Sequence, residues 1–496
     1  MSDITYDYLI IGGGVVGSFI ARELSRYSDK VLLVEKEADI GMGATCANSA
    51  IVHPGYDPIP GSLKARVNVR GNAMFDELAD VLHFAFERVG DFVVAIGKDE
   101  LPALEALYQQ GLSNGVPGMK LIGADEMKQH EPLINPQVSG ALWASTGGVC
   151  DPFQLCVAAA ESAVLNGAKV LLNTAFEDFI FEGRRVIGVS TNRGDFFARW
   201  VINSAGIYAD AVMHQAGIRP EFEIMARKGE YYVFDRADIT TSSILFPVPS
   251  ENSKGILVTT TVHGNTICGP NANNVPDKED TASTQAGGDE IWAGAQRLIP
   301  SLSLRSVIAS FVGLRPYGNG PCKTPGVNYD HDYVIEIPEE VQGFVNLGGI
   351  ESPGLTSAPA IAEEVTALLR ESGEKLTPKK NWNPVRPARP RFRDMSHEER
   401  QILVAKDPHF GRVICRCENI TEGEIISEIH APIPALTYDA IKRRTWLGTG
   451  RCQGAFDMTR VVDILCRETG QSPFEVTKRG EGSPFLYRET KELPHA

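Results

Sequence analysis

Three glycines near the start of the chain have the spacing of a nucleotide-phosphate site. Gly12, Gly14 and Gly17 follow the apolar run Tyr8–Ile11 in the pattern G-x-G-x-x-G. In this motif the first glycine permits a tight turn, the second lets the backbone approach a pyrophosphate, and the third lets a helix pack against the strand. The free N–H groups at the N-terminus of that helix then face the phosphates.

An acidic residue follows at the distance that a ribose contact requires. Residues 18–26 are predicted to form a helix, and residues 30–34 a second strand that ends at Glu35, eighteen residues past Gly17. A carboxylate in this position accepts hydrogen bonds from a ribose hydroxyl. Together these features predict a dinucleotide site, and by themselves they fit FAD and NAD equally well.

Three later segments also place small residues where a cofactor could bind. Residues 41–53 are mostly small or hydroxyl residues, whose backbone N–H groups can close around a phosphate or a flavin ribityl chain. The strand that begins near Trp200 ends at Ser204-Ala205-Gly206, and residues 348–356 open a helix predicted over 358–372. Because ligands of open α/β sheets bind beyond the carboxyl ends of the strands, these segments support the first motif. A flexible loop and plain strand-to-helix connections are the alternatives.

The remaining pattern predicts an α/β chain with an inserted antiparallel, β-rich substrate domain. Many short apolar runs separated by Pro- and Gly-rich turns lie between residues 222 and 350. An oxidoreductase domain is predicted at 1–375. Its dinucleotide-binding part is expected to consist of about residues 1–90, 150–220 and 340–375, and its substrate part of about residues 91–149 and 221–339. Residues 376–409, rich in proline and basic side chains, predict an extended linker, followed by a compact helical module at 410–470 and a tail at 471–496.

Composition limits the class of partner. The chain of 496 residues has 48 basic and 63 acidic side chains and a net charge of −15, which disfavours nucleic acid or an anionic membrane as the main partner. No apolar run approaches the roughly 18 residues that a transmembrane helix needs, and the N-terminus has no basic region typical of a secretory signal. We therefore expect a cytoplasmic protein. Of nine cysteines, five are scattered and four cluster late, at positions 415, 417, 452 and 466.

The unit formed by the first strand, the glycines and Glu35 resembles that of flavoprotein oxidoreductases of the D-amino-acid oxidase and glycerol-3-phosphate dehydrogenase superfamily. The resemblance covers about residues 5–372 and implies a Rossmann-like domain that binds FAD rather than NAD. Four segments are similar to the glycerol-3-phosphate dehydrogenase and L-2-hydroxyglutarate oxidase branches: 51–55, 148–153, 227–231 and 313–316. Two others resemble the hydroxyglutarate branch more than the glycerol-3-phosphate branch: 60–65 and 268–272. The implied FAD contacts are Gly12, Gly14, Val16, Gly17, Glu35, Lys36, Gly43, Ala44, Thr45, Asn48, Ser49, Phe176, Ser204, Ala205, Gly206, Gly349, Gly354, Leu355 and Thr356.

The late cysteines carry a second resemblance. The segment Cys415-Arg-Cys417, with the Gly-rich stretch around Cys452, is similar to the bacterioferritin-associated-ferredoxin type of [2Fe–2S] domain, which is fused to anaerobic glycerol-3-phosphate dehydrogenase large subunits. The resemblance implies a cluster ligated by these three cysteines. It also implies hetero-oligomers in which a second flavoprotein or another acceptor subunit takes the electrons.

One residue departs from this pattern. The fourth cysteine of the domain should follow Cys452 by five positions, and the chain has Asp457 there. A carboxylate oxygen can bind iron but is a harder ligand than a thiolate. Three interpretations therefore stay open: Asp457 is the fourth ligand, the module has no cluster, or Cys466 is a substitute ligand. Zinc held by three cysteines and Asp457 is a further option.

The family resemblance also implies roles around the flavin. Arg315 would bind an anionic substrate, because a guanidinium donates two parallel hydrogen bonds to a carboxylate or phosphate. His53 would be the base or hydrogen-bond partner on the substrate side. Lys228 and Glu230 are weaker candidates, chosen because alternate residues of one strand face the same side. Lys64 is expected on a solvated helix face.

These features lead to one main hypothesis and two alternatives. The main one is an FAD-dependent dehydrogenase that oxidises a small anionic 2-hydroxy compound and passes electrons through a [2Fe–2S] cluster to a partner. Glycerol 3-phosphate is the first choice of substrate and a 2-hydroxyglutarate-like acid the second. The alternatives are an amino- or imino-acid dehydrogenase of the hydroxyproline or sarcosine type, and a non-catalytic electron-relay subunit.

Overall fold

The strand that precedes the glycine motif lies at the centre of an eight-stranded sheet. In the computed structural model, which describes residues 5–249, 254–489 and 491, Tyr6–Ile11 pairs in parallel with Val31–Val34 on one side and Gly194–Asn203 on the other. The apolar residues of these strands are buried, as in parallel sheets covered on both faces. The sheet is mixed, because Phe176–Glu182, Arg185–Thr191 and Val334–Glu336 pair antiparallel with their neighbours. Its eight strands are Tyr6–Ile11, Val31–Val34, Lys169–Leu171, Phe176–Glu182, Arg185–Thr191, Gly194–Asn203, Val334–Glu336 and Phe344–Gly348.

Helices cover this sheet and place the motif. The first helix, Val15–Leu24, begins three residues earlier than predicted because Gly14 is its N-cap, with extended backbone at φ −69° and ψ 177°. Its N–H groups therefore start directly at the predicted phosphate site. The other helices of the chain up to residue 371 are Leu63–Leu82, Leu101–Ser113, Ala124–His130, Pro152–Leu165, Ala209–Gln215, Gln285–Leu298 and Gly354–Glu371.

A second, nine-stranded sheet confirms the predicted β-rich insertion. All its pairs are antiparallel except one, in which Ile244–Pro247 runs parallel to Asp91–Ile96. The prediction assigned residues 221–339 to the substrate pieces, whereas Val334–Glu336 pairs antiparallel with Phe344–Gly348 in the first sheet. The strands of the antiparallel sheet are Asp91–Ile96, Met119–Gly123, Val138–Ala144, Ile224–Phe234, Ile244–Pro247, Leu257–Thr260, Thr266–Gly269, Asn273–Val275 and Val307–Gly318.

A small sheet of three strands lies next to the predicted cofactor loop. Ile51–Val52 pairs with Gly148–Cys150, which also pairs with Phe86–Glu87. It links the end of the small-residue loop to the start of the helix Pro152–Leu165.

The C-terminal module is a helical unit. It contains the short strands Val413–Cys415 and Ile420–Thr421 and the helices Glu422–Ile429, Tyr438–Thr445 and Met458–Thr469. Thr421 and Glu424 form a reciprocal capping box at the start of the first helix. The mixed α/β class with a small helical C-terminal region is thereby confirmed.

The predicted linker is extended in its first half but is held against the rest of the chain. No helix or strand is found between residues 376 and 391, yet Arg386 is buried and its Nε lies 2.6 Å from Glu161 Oε2. Arg389 binds both Glu161 and Glu428, at 2.5 and 2.7 Å. A capped helix, His397–Lys406, forms the second half. These ion pairs fix the module against the helix Pro152–Leu165.

The described part of the predicted tail is also packed, although residues 490 and 492–496 lie outside the described residues. Val476 is fully buried in the core of the module. The backbone at Gly480 packs so closely on Ala38 that an added Cβ would lie 2.8 Å from the alanine methyl group. Within the described ranges, no helix has both the length and the apolar composition that a bilayer crossing requires.

Candidate flavin and iron–sulfur sites

A cavity of about 960 Å³ lies at the carboxyl ends of the parallel strands, and residues of the antiparallel sheet form its far wall. Ligands of open α/β sheets bind at this edge. Most of the predicted cofactor residues line it: Gly12, Gly14, Val16, Glu35, Lys36, Gly43, Ala44, Thr45, Asn48, Ser49, Phe176, Ser204, Ala205, Gly206, Gly349, Gly354 and Leu355.

Close contacts with neighbouring backbone leave no room for a side chain at two glycines of the motif. Gly12 has φ +102°, and a Cβ there would lie 2.7 Å from the carbonyl oxygen of Ser204. A Cβ on Gly17 would lie only 2.1 Å from the Gly12 oxygen. Gly17 is therefore not part of the cavity wall; it lets the helix pack onto the strand behind it, as the motif predicts.

The carboxylate of Glu35 is held by backbone donors at the end of the second strand. Gly13 N–H donates to Oε2 at 2.6 Å, and Glu37 N–H donates to Oε1 at 2.9 Å. Burial raises the pKa of this carboxyl, and the two N–H donors act against that rise. Each carboxylate oxygen keeps acceptor capacity, so Glu35 can also accept a hydrogen bond from a cofactor hydroxyl in the cavity.

Arg315 reaches the cavity from the antiparallel sheet. It lies on the strand Val307–Gly318, and its Nη2 donates to the carbonyl oxygen of Asn271 at 2.7 Å. No carboxylate of the described residues lies within ion-pairing distance of its guanidinium. Arg315 therefore offers an uncompensated cation to an anionic ligand.

His53 lies on the same side of the cavity and is fixed through its backbone. Its N–H donates to Thr356 Oγ1 at 2.9 Å, and its carbonyl oxygen accepts from the side-chain amides of Asn68 and Asn72, both at 2.9 Å. Thr356 itself is fully buried behind the wall. It positions His53 and does not line the cavity, although the resemblance implied it as an FAD contact.

The imidazole of His53 is neutral across the physiological range. Burial, with a smaller contribution from the ammonium of Lys254, lowers its pKa to about 3. Because the pKa is depressed, the ring gains a proton only as the pH falls toward that value. A neutral ring nitrogen can accept a hydrogen bond from the hydroxyl group of a bound substrate.

The pKa of His53 leads to a pH prediction. Replacing His53 with Gln should lower kcat by about 10²-fold or more, the usual contribution of a positioned base. The wild-type kcat/KM should show no acid limb from this residue between pH 5 and 8, because its pKa is about 3. Steady-state kinetics over that pH range test both points, with the half-exposed His130, outside the cavity, replaced by Gln as control. An acid limb near pH 6.5 that disappears in the His53 variant would contradict the lowered pKa, and an unchanged kcat in that variant would exclude His53 as the base.

Lys228 and Glu230 do not face the cavity, which corrects the prediction. Lys228 Nζ is paired with Asp280 at 3.0 Å, and Glu230 accepts hydrogen bonds from the N–H and Oγ1 of Thr284. Because side chains alternate along a strand, their neighbours Gly229 and Tyr231 line the cavity instead. The segment was identified, but with the wrong face of the strand.

Other cavity residues were missed or misplaced. Tyr231, whose hydroxyl lies 3.1 Å from Ser49 Oγ, could have been found by counting the strand in the other register. Arg479 lines the cavity from the segment predicted as a tail, and no local pattern signals this. Lys64 is buried and pairs with Glu351 at 3.4 Å, so the predicted solvated helix face was wrong.

The late cysteines converge in the module. The Sγ of Cys417 lies 3.6 Å from that of Cys415 and 3.3 Å from that of Cys452. A Cβ on Gly450 would lie 2.8 Å from the Cys417 sulfur. Because glycine has no side chain, the backbone at residue 450 can pass this close to the thiol. Three converging thiols suit a soft metal ion or an iron–sulfur cluster.

Asp457 is the candidate for a fourth, oxygen ligand in the same module. Its side chain is 1% exposed, and its Oδ1 accepts a hydrogen bond from the Tyr438 hydroxyl at 2.7 Å. Its Oδ2 is buried and has no hydrogen-bond partner among the described residues. Burying a carboxylate oxygen costs free energy of folding unless a hydrogen-bond donor or a metal ion binds it. The donor set therefore fits a cluster that Asp457 completes.

Cys466 is poorly placed to substitute for Asp457. Asp457 is the N-cap of the helix Met458–Thr469, and Cys466 lies nine residues further along it, which is about 13 Å at the rise of an α-helix. Cys466 packs against the apolar core of the module. We therefore favour a structural thiol.

Comparison with known proteins identifies both parts of the chain. A family model described as FAD dependent oxidoreductase matches residues 7–368, and one described as BFD-like [2Fe-2S] binding domain matches residues 413–463. A glycerol 3-phosphate dehydrogenase of Caloramator mitchellensis is 43% identical over 98% of this chain and 99% of its own. An L-2-hydroxyglutarate dehydrogenase of Arabidopsis thaliana is 27% identical over 72% of this chain and 82% of its own.

Solved structures agree with these relatives. The FAD-bound L-alpha-glycerophosphate oxidase of Mycoplasma pneumoniae superposes with a TM-score of 0.70 at 32% identity, covering 77% of this chain and 98% of the other. A glycerol-3-phosphate dehydrogenase of Bacillus halodurans, at 17% identity, shares the fold over 95% of this chain with a TM-score of 0.67. The predicted resemblances are confirmed, and FAD is the cofactor that they support. The chain belongs to the family of FAD-dependent oxidoreductases and carries a BFD-like [2Fe–2S] binding domain at its C-terminal end.

Proposed function

We propose that this enzyme oxidises glycerol 3-phosphate and passes the electrons through a [2Fe–2S] cluster to a separate acceptor protein. The observation that carries the proposal is the unpaired Arg315 in the cavity of a chain that matches a glycerol 3-phosphate dehydrogenase along almost its whole length. A 2-hydroxy acid remains the second choice, since the relatives that act on 2-hydroxyglutarate are less similar.

The protein's own groups have separate tasks in this reaction. Arg315 would hold the phosphate of the substrate against the far wall of the cavity through paired hydrogen bonds. His53 would accept the proton of the hydroxyl group that is oxidised, and its backbone contacts to Thr356, Asn68 and Asn72 keep the ring in place. FAD, when bound, supplies the hydride acceptor, and the cluster supplies a one-electron acceptor.

The residues that would hold FAD come from three strand ends. Glu35 would contact the ribose, and the helix start at Val15 would face the pyrophosphate. The loop with Gly43, Ala44 and Thr45 is free of bulk on its cavity side, since a Cβ on Gly43 would meet nothing within 4 Å. Arg479, whose side chain is exposed to the cavity, would add a cation from the C-terminal segment.

Cys415, Cys417, Cys452 and Asp457 would ligate the cluster. Replacing Asp457 with Cys should preserve the two irons and two sulfides per chain of such a cluster, because thiolate is the usual ligand, and should shift the EPR spectrum of the reduced protein. Replacing Asp457 with Leu should cause loss of iron. Iron and sulfide analysis after anaerobic purification tests both, with Asp463→Leu, an exposed position on the same helix, as control. Full iron content and an unchanged spectrum in the Leu variant would exclude Asp457 as a ligand.

Substrate choice is tested by anaerobic mixing of the flavin-loaded protein with single compounds. We expect rapid bleaching of the flavin absorbance by glycerol 3-phosphate, slower bleaching by L-2-hydroxyglutarate, and none by L-proline derivatives. Bleaching by an imino acid alone would support the amino-acid alternative. No bleaching by any of them would support a relay subunit.

A further inference from the structure

We propose that Trp446 is the link that couples the flavin cavity to the cluster, through a route from Ala50 to Cys415 made of three hydrogen bonds joined by short covalent segments of the chain. This inference rests on the proposed function, because it assumes that electrons pass from reduced flavin to a cluster in the module. It adds the path and names the residue on which the path depends.

The route begins in the wall of the cavity. Ala50 lines the cavity at the end of the small-residue loop, and its carbonyl oxygen accepts a hydrogen bond from the backbone N–H of Cys150 at 2.9 Å. This bond extends the ladder between Ile51–Val52 and Gly148–Cys150 in the three-stranded sheet. The next residue along the chain is Asp151, so the cavity wall is one hydrogen bond away from that carboxylate.

The middle of the route is a buried contact between the oxidoreductase domain and the module. Asp151 is 0% exposed, and its Oδ1 caps the helix Pro152–Leu165 by accepting from the N–H groups of Phe153 and Gln154. Its Oδ2 accepts from the indole Nε1–H of Trp446 at 2.6 Å. The ring of His263 packs on Trp446 with centroids 3.9 Å apart, and its Nε2 lies 3.0 Å from the same Oδ2. The contact is therefore tightly packed.

The route ends on a predicted cluster ligand. Trp446 ends the helix Tyr438–Thr445 in a left-handed conformation, with φ +68°. That turn directs the chain to Gly448, whose N–H donates to the Cys415 sulfur at 3.4 Å. Only Leu447 thus lies between Trp446 and the residue whose N–H binds the Cys415 sulfur.

The module does not depend on Trp446 for its position. Arg444 and Arg443 bind the two oxygens of the buried Asp39 at 2.5 and 3.0 Å. Arg389 joins Glu428 of the module to Glu161. A conservative change at Trp446 therefore removes one hydrogen bond from the route and leaves these ion pairs in place.

The proposed step is a transfer of one electron. With both groups bound, one electron would pass from the fully reduced flavin to the oxidised cluster held by Cys415, Cys417 and Cys452, and no covalent bond would form or break. The second electron follows once a one-electron acceptor outside the chain has reoxidised the cluster. Without such an acceptor, one electron per chain is expected on the cluster.

The test compares Trp446→Phe with Trp382→Phe in the full-length protein loaded with flavin and cluster. Phenylalanine keeps the ring packing but lacks the N–H that binds Asp151. Trp382 donates to Ser25 Oγ at 3.3 Å, outside the cavity and the module, and is the matched control. The flavin is reduced by light rather than by substrate, and the cluster signal is followed by freeze-quench EPR together with the flavin absorbance.

We expect cluster reduction to be about tenfold slower in Trp446→Phe, equivalent to about 1.4 kcal/mol in activation free energy, with unchanged iron content and spectrum. Trp382→Phe should match the wild type. An unchanged rate in Trp446→Phe would overturn the proposed route. If that variant does not fold, Asp151→Asn, which can still cap its helix, must show the slower rate. If light-reduced flavin does not reduce the cluster in the wild type, the route is also overturned. If only glycerol 3-phosphate fails to bleach the flavin, the substrate proposal alone is overturned.

Discussion

Replacing Arg315 with Gln is expected to reduce kcat/KM for glycerol 3-phosphate by about 30-fold or more. Removing one partner of a hydrogen-bonded charge pair costs at least about 2 kcal/mol, and each 1.4 kcal/mol is a factor of about ten. Arg315 has no carboxylate partner within ion-pairing distance among the described residues, so its charge is available to the substrate. Most of the loss should appear in KM, because the phosphate is bound equally in the ground and transition states.

A matched control lies opposite Arg315 on the neighbouring strand. Arg227 pairs with Arg315 across the antiparallel ladder, but it packs on Tyr317 and binds Asn274 rather than lining the cavity. Arg227→Gln should leave the kinetics nearly unchanged. If both variants lose activity equally, or if Arg315→Gln keeps the wild-type KM, then Arg315 is not the phosphate ligand. Rescue by Arg315→Lys should be partial, because an ammonium lacks the planar fork of a guanidinium.

Replacing Arg444 with Gln is expected to detach the module from the oxidoreductase domain. The side chain of Arg444 is 2% exposed, that of Asp39 is 1% exposed, and their nearest atoms are 2.5 Å apart. Removing one partner of a buried ion pair costs up to about 3–5 kcal/mol, and the loss here should fall below that because Arg443 still pairs with the other oxygen of Asp39 at 3.0 Å. Asp39 lies close to the predicted phosphate loop, so we also expect weaker FAD binding.

Limited proteolysis and a thermal melt measure how far the module is loosened and how much FAD binding is weakened. The variant should be cleaved between the two parts under conditions where the wild type stays intact, and flavin should be released at a lower temperature. The control is Arg70→Gln, since Arg70 pairs with Glu363 at an exposed site where such a pair contributes less than about 1 kcal/mol. Equal resistance of Arg444→Gln and the wild type would show that other contacts position the module.

The sequence predicted the cofactor side of the cavity well because that side depends on local rules. A strand, three glycines and an acidic residue at the next strand end are adjacent in the chain, and Gly12 and Gly17 can be no other residue for steric reasons. The loop at 43–49 and the strand end at 204–206 follow the same rule, since parallel strands bring their carboxyl ends to one edge.

The substrate side was predicted less well because it depends on strand register. A shift of one residue turns Lys228 and Glu230 away from the cavity and Tyr231 toward it, and composition does not determine that choice. Arg479 and Trp446 were not found for a different reason. Both reach the oxidoreductase domain from the C-terminal region, and contacts so distant along the chain leave no periodic pattern in either segment.

One measurement tests the central claim most directly: an anaerobic titration of the complete protein with glycerol 3-phosphate, read by flavin absorbance and by EPR on the same samples. The account predicts that the flavin bleaches and that a [2Fe–2S] signal appears with it, reaching one electron per chain on the cluster. Bleaching of the flavin with no cluster signal, in protein that contains two irons per chain, would contradict the claim that this enzyme passes electrons from its substrate to the C-terminal cluster.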